Sequence, residues 1–160
     1  MAVDMFMKAG DIEGESNDAK HKGSIDVLAW SWGMSQSGTT HMGTGGGAGK
    51  VNIQDLSFTK YVDKGSNTLM LYCCNGKHMP EAVLTVRKAG TTPVEYIIIK
   101  MEEVMVTSVS TGGSGGEDRL TENVTLNFAK VKFSYVPQTK TGTADPARDL
   151  IWDIAGNAKG

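Results

Sequence analysis

The sequence predicts an all-β domain: a small β-barrel of two sheets with one short α-helix and long glycine-rich loops. Apolar residues alternate with small or polar ones through most of the 160-residue chain, and a period of two is that of a β-strand. Ten of the 20 glycines lie in two loops, over residues 38–50 and 111–118, and the glycines do not recur at a fixed interval, which argues against a repeat architecture. At this length the chain fits one domain over residues 1–160.

The first two strands are predicted over residues 5–8 and 25–36, with a polar loop over residues 10–23 between them. The second strand separates bulky from small side chains. Its bulky set, which we expect to face the core, is Leu28, Trp30, Trp32 and Met34. Its small set, on the opposite face, is Val27, Ala29, Ser31, Gly33 and Ser35.

A glycine-rich segment over residues 38–50 has no apolar period and is predicted to be an exposed loop. A strand follows over residues 51–62, and its expected buried set is Ile53, Leu56, Phe58 and Tyr61. The chain's one helix is predicted over Ser66–Asn75. Ser66 is the expected cap of its first turn, and Gly76 is expected to end it.

Four more strands are predicted over residues 83–88, 94–101, 104–110 and 122–136, and a last short one over residues 149–154. The pair Glu102 and Glu103 separates two of them. In the longest strand the apolar period changes phase near Ala129, which predicts a bulge or a corner where the strand passes from one sheet to another.

Composition argues against several classes of protein. A net charge of −2 and a pI near 5.9 lack the basic surface that nucleic-acid binding requires. No apolar stretch approaches the ~20 residues of a membrane-spanning helix, and we expect no signal peptide at the first residues. The neighbouring Cys73 and Cys74 are expected to be reduced, because adjacent cysteines cannot readily reach disulfide geometry.

The catalytic and metal-binding motifs that the sequence approaches are each incomplete, which predicts that the chain is not an enzyme and holds no cofactor or metal. The loop over residues 43–50 departs from the phosphate-binding P-loop at two defining positions, where it has Thr44 and Val51. Cys74 and His78 lack the second ligand pair of a structural zinc site. A nucleophilic serine within G-x-S-x-G between a strand and a helix is also missing.

Four blocks carry a resemblance to a known family: IDVLAWSWG (25–33), DLSFTK (55–60), LTVRKAG (84–90) and LTENVTLNFAK (120–130). The opening MAVDMF and the loop STGGSGGEDR (110–119) belong to the same pattern. In these blocks the chain resembles Hcp, the haemolysin-coregulated tube protein family of bacterial type VI secretion systems. The likeness runs from the first residue to about Gln138, whereas the tail over residues 139–160 matches loosely.

This resemblance implies a β-barrel with one helix that assembles as a homo-hexameric ring. It further implies stacked rings inside a contractile sheath, a VgrG spike at the tip and effector proteins in the lumen. Assembly in the cytoplasm would then be followed by ejection without a signal peptide.

Two sets of residues are candidates for contacts in such an assembly. The small set of the second strand, expected along the lumen wall in contact with cargo, is Ala29, Ser31, Gly33 and Ser35. These residues would otherwise make space for a neighbouring strand or subunit. The set expected at ring-stacking or subunit contacts is Thr39, Thr40, His41, Met42, Gly43, Gly45, Gly46, Gly47, Lys50, Ala89, Gly90 and Thr91. The alternative from another class is a monomeric β-barrel binding module for carbohydrate or protein, with the glycine loops as its recognition surface.

Overall fold

A computed structural model describes residues 3–38, 49–90, 93–138 and 145–160. These residues form one helix and ten strands. In chain order they are β1 (Val3–Ala9), β2 (Ile25–Ser31), β3 (Met34–Ser35), β4 (Asn52–Ile53), β5 (Leu56–Tyr61), α1 (Ser66–Asn75), β6 (His78–Lys88), β7 (Val94–Thr111), β8 (Thr121–Tyr135), β9 (Arg148–Asp153) and β10 (Ala158–Lys159).

Six of the strands close a barrel in the order β8-β5-β2-β1-β6-β7, with β7 pairing back onto β8. All of these pairings are antiparallel. Strands β9 and β10 extend the sheet beyond β8, and β3 pairs with β4 in a separate two-stranded sheet. The predicted all-β barrel with one helix is therefore confirmed.

Every second side chain of the barrel strands points inward, and these side chains fill the core. Inward side chains include Met7, Ile25, Leu84, Ile99 and Leu126, each with 0% of its surface exposed. Helix α1 has the predicted bounds and buries Leu69 and Tyr72. Gly76 ends it in the left-handed conformation, with φ of 67°.

The expected cap at Ser66 is wrong, because the helix is capped by Gly65 without a side-chain bond. Ser66 instead lies inside the first turn. Its Oγ accepts a hydrogen bond from the Asp63 N–H at 3.0 Å.

The predicted change of phase near Ala129 is confirmed and has a counterpart on β7, but β8 stays within one eight-stranded sheet and does not pass to a second one. In β8 the buried positions change from Phe128 to Val131, so the inward phase shifts by one residue. In β7 Met101 and Val104 are both buried around Glu103, which has φ of +54°. The two shifts face each other across the β7–β8 pairing, where Glu102 is the register partner of Lys130. The expected break at Glu102 and Glu103 is wrong, because both residues lie within one continuous strand.

The predicted inward face of the second strand is wrong at Leu28 and Met34, which are 38% and 44% exposed. A bulge between Val27 and Ala29 turns Leu28 outward, whereas Met34 lies beyond the end of β2, in the separate two-stranded sheet. Before the bulge Ile25 and Val27 face inward, and after it Trp30 and Trp32 pack against the core.

The expected burial of Tyr61 is also wrong, because β5 alternates strictly from Leu56 and so turns Lys60 inward. Tyr61 lies on the outside, where the Arg119 guanidinium stacks 3.7 Å from its ring centroid.

Candidate interaction surface on the outer wall

Short polar side chains form two rows across the outer face of four neighbouring barrel strands, β2, β5, β8 and β7. One row runs through register partners Ala29, Thr59, Asn123 and Ser110. The next runs through Ser31, Ser57, Thr125 and Ser108. We call these residues, together with Asp55, Thr107 and Asn127, the hydroxyl face.

The outward direction of these side chains follows from what lies between them. Leu56 and Phe58 fill the core from β5, so Ser57 and Thr59 point out, and the same holds for the polar residues between Val124, Leu126 and Phe128 on β8. Two bulges align the outward residues of β2 and β7 with those of β5 and β8. One precedes Ala29 on β2, and the other lies between Val106 and Ser108 on β7.

Hydrogen bonds run laterally within the hydroxyl face. Thr59 Oγ1 donates to Asn123 Oδ1 at 2.7 Å. Thr125 Oγ1 lies 2.7 Å from both Thr107 Oγ1 and Ser108 Oγ. These side chains therefore satisfy one another across the strands, which holds them flat against the wall.

Asp55 is the one charged member of the face. Its Oδ2 accepts a hydrogen bond from Thr107 Oγ1 at 2.8 Å, and its Oδ1 accepts one from Asn127 Nδ2 at 2.9 Å. The ion pairs among the described residues do not include Asp55. A negative charge thus lies in a neutral surface, fixed by two uncharged donors.

On the inner side of this wall, a buried ion pair joins β5 and β8. Lys60 on β5 and its register partner Glu122 on β8 are 0% and 1% exposed, and Lys60 Nζ contacts Glu122 Oε1 directly. Lys60 Nζ also reaches Asp63 Oδ1 at 3.0 Å and Ser66 Oγ at 3.1 Å. The cluster therefore ties the start of α1 to the inner side of the wall.

The outer face of β1 and β6 is built differently, and we call it the covered wall. The loop over residues 10–24 folds back over it. His21 stacks on Phe6 with ring centroids 4.5 Å apart and contacts Glu95 Oε1 at 2.8 Å. Asp18 binds the buried Arg87 guanidinium, with Nη1 to Oδ2 at 3.1 Å. Chiefly because of this hydrogen bond, the pKa of Asp18 falls from 3.8 to about 2 and the pKa of Arg87 rises.

The structure places the predicted lumen residues in different surroundings. Ala29 and Ser31 begin the two rows of the hydroxyl face. Gly33 lies beyond the end of β2, where its carbonyl accepts the Gln54 N–H at 2.9 Å. Ser35 pairs with Asn52 in the separate small sheet. The predicted row of four thus ends on the barrel at Ser31, and the wall continues sideways along β5, β8 and β7.

The sequence prediction did not include the residues of the hydroxyl face on β5, β8 and β7, although the alternation of polar and apolar residues indicates them. Ser57 and Thr59 alternate with Leu56 and Phe58, and β8 repeats the pattern. The prediction followed one strand and did not apply the same alternation to its neighbours.

Of the predicted stacking residues, Lys50, Ala89 and Gly90 are exposed, and a Cβ added at Gly90 would meet no atom within 4 Å. The others lie outside the described residues: Thr39, Thr40, His41, Met42, Gly43, Gly45, Gly46, Gly47 and Thr91.

Within the described ranges, no three His, Cys, Asp or Glu side chains gather as a metal site. In the same ranges no helix has the length and apolar character needed to cross a membrane. Cys73 is half-buried and Cys74 exposed on α1, and both are free thiols.

Comparisons with known proteins agree with one another. Residues 6–135 match the family model described as type VI secretion system effector, Hcp. The chain is 68% identical to Protein hcp1 of Pseudomonas aeruginosa, over 99% of each chain. Among solved structures, one described as a type six secretion system protein superimposes with a TM-score of 0.93 at 31% identity, covering 99% of this chain and 100% of the other. Hcp1 from Salmonella typhimurium gives 0.80 at 35% identity, with 99% of each chain covered.

Proposed function

This chain belongs to the Hcp family of type VI secretion proteins, and we propose that it closes into a homo-hexameric ring whose lumen is lined by the hydroxyl face. Hcp proteins are secreted components of that system, so the function that we propose is mechanical: self-association, then transport. Catalysis is not part of the proposal.

The observation that carries the lumen assignment is the pair of short-side-chain rows crossing four strands. An exposed sheet face of a monomer normally carries charged side chains, and charged residues make up 21% of this chain. Here Ala29, Ser31 and Ser57 are short and neutral, and their neighbours bond laterally. Such a wall leaves space in front of it and offers passing cargo few strong bonds, as transport requires.

Substitution at Ser31 and Thr125 tests this assignment. If both line an open lumen, S31Q/T125Q should keep the hexamer in native mass spectrometry while reducing effector co-purification. L71Q, on the exposed side of α1, is the matched control and should change neither. Loss of the ring in S31Q/T125Q would show that the face is packed against a subunit. A monomeric wild-type protein would instead favour a binding module.

We further propose that rings stack into a tube through Lys50, Ala89, Gly90 and the glycine-rich residues 39–47. Gly90 supports this because it lies in an exposed turn between β6 and β7 with open space around it. A bulky side chain there would keep a flat partner away. The tube would enclose effector proteins, sit within the contractile sheath and carry a VgrG spike.

Electron microscopy of G90W tests the stacking surface, with G116W as control, since Gly116 also has open space around it. We expect intact rings and shorter stacks in G90W only. Equal stack lengths in both variants would contradict the assignment.

A further inference from the structure

We infer that Asp55 gives the hydroxyl face an electronegative character that selects protein cargo with a basic surface. The inference rests on the proposed lumen and adds to it the class of cargo. It follows from the direction of the hydrogen bonds that end on this carboxylate.

With Asp55 ionised, the short side-chain contacts fix the direction of these bonds, and the Thr107 hydroxyl also lies 3.3 Å from the Thr125 carbonyl oxygen. An ionised carboxylate accepts hydrogen bonds and donates none, so the Thr107 hydroxyl donates to Asp55. Its single proton is then used, and the 2.7 Å contact with Thr125 requires Thr125 Oγ1 to donate to Thr107 Oγ1. By the same reasoning Ser108 donates to Thr125. The donors therefore run from Ser108 through Thr125 to Thr107, and the Asp55 carboxylate is the final acceptor.

In this series of hydrogen bonds, each hydroxyl donates its proton to a neighbouring side chain of the face. The lone pairs of the hydroxyl oxygens are then left to accept hydrogen bonds from a partner in front of the wall. Aligned hydroxyls also polarise one another, which extends the influence of the carboxylate beyond its own position. What the face offers is therefore acceptors and negative potential. The matching partner is rich in donors and positive charge, as lysine and arginine side chains are.

The carboxylate of Asp55 has no cationic partner among the described residues. Its direct partners, Thr107 and Asn127, are neutral. The rest of the face is uncharged, so it does not offset the carboxylate. In a closed ring, equivalent carboxylates would face one narrow lumen, where low-dielectric walls focus their field.

Binding of two labelled peptides to the purified full-length protein tests the inference. The peptides share one Gly-Ser framework, and one carries lysines where the other carries glutamates. The wild-type protein should prefer the lysine peptide. D55N should reduce that preference about tenfold, and D55K should reverse it. T107V keeps the charge but interrupts the donor chain, so it should produce a smaller reduction, about twofold to threefold.

D149N is the control, because Asp149 is an exposed carboxylate on β9 outside the hydroxyl face, and it should leave the preference unchanged. Raising salt from about 10 mM to about 1 M shortens the Debye length from about 30 Å to about 3 Å and should abolish the wild-type preference. A wild-type preference that is absent or insensitive to salt overturns the inference even if D55N does not fold. So does a D55N preference equal to that of the wild type.

Native mass spectrometry of the same samples separates this inference from the proposed function. A monomeric wild-type protein that still prefers the lysine peptide through Asp55 would overturn the ring and keep the charge selection. Intact rings that show no preference between the two peptides would support the ring and overturn the charge selection.

Discussion

The barrel has two outer walls of opposite construction. The covered wall uses an aromatic ring, a guanidinium and a carboxylate, and the loop over residues 10–24 seals it. The hydroxyl face uses side chains of one to four heavy atoms and is left bare by the described part of the chain. The chain covers the first wall itself, whereas no described residue outside the second wall covers it. Short side chains, and not apolar character, therefore distinguish the wall that we assign to transport.

The largest loss of stability is expected from replacing the buried Lys60, on the inner side of the wall that carries the hydroxyl face. K60M should destabilise the protein by about 3–5 kcal/mol, because Glu122 and Asp63 would lose the cation that compensates their buried charge. Urea unfolding followed by tryptophan fluorescence measures the change. K60M/E122M should recover part of the loss, since only Asp63 then lacks a cation. A K60M variant as stable as the wild type would refute an ionic support for this wall.

On the covered wall, R87M should cost about 2 kcal/mol, because charge-assisted hydrogen bonds from the guanidinium to Asp18 and Asp4 are lost. The loop over residues 10–24 should also become more sensitive to limited proteolysis. The matched variant on the other wall is S57A, which removes no charge and should leave cleavage unchanged. Equal cleavage of R87M and wild type would mean that Arg87 does not hold the loop.

Acid should affect the covered wall through Asp18. The pKa of Asp18 is lowered on folding from 3.8 to about 2, chiefly by the hydrogen bond from Arg87. A depressed carboxyl pKa contributes stability that is complete above about pH 4 and is lost as the pH falls through 2. Melting temperatures between pH 5 and pH 2 should therefore fall more steeply for wild type than for D18N. Parallel curves would contradict this assignment.

The smallest effect is expected on the hydroxyl face itself. T125V removes a hydroxyl from the donor chain at a half-buried position, and we expect a loss of about 0.5–1 kcal/mol. Thermal denaturation is sufficient to measure it. A loss as large as that of R87M would show that this wall carries stability, which would remove the contrast between the two walls.

Local patterns in the sequence predicted the features that depend on near neighbours. The strand alternation of β8, its phase change at Ala129 and the bounds of α1 all follow from residues within one element. The bulge after Val27 could not be predicted, because it is set by pairing with Lys60 and Thr59 on another strand. It reverses the assignments of Leu28 and Val27.

The buried Lys60 shows the same limit. Alternation from Leu56 and Phe58 turned it inward, but hydrophobicity favoured Tyr61. The carboxylate that makes burial acceptable belongs to Glu122, on a strand separated from Lys60 by the helix and two further strands. Likewise, the sequence prediction identified Ala29 and Ser31, whereas the rows that extend them require the strand order β2, β5, β8 and β7.

Closure of the barrel also bears on how the protein behaves at high concentration. Each of the six barrel strands has a partner on both sides, so the barrel presents little free edge onto which another chain's strand could add. The terminal strand β10 is two residues long, which makes it a poor template for amyloid-like growth. The described strands therefore offer few sites at which another copy could add by backbone pairing, so we expect any association between copies to depend on side-chain contacts.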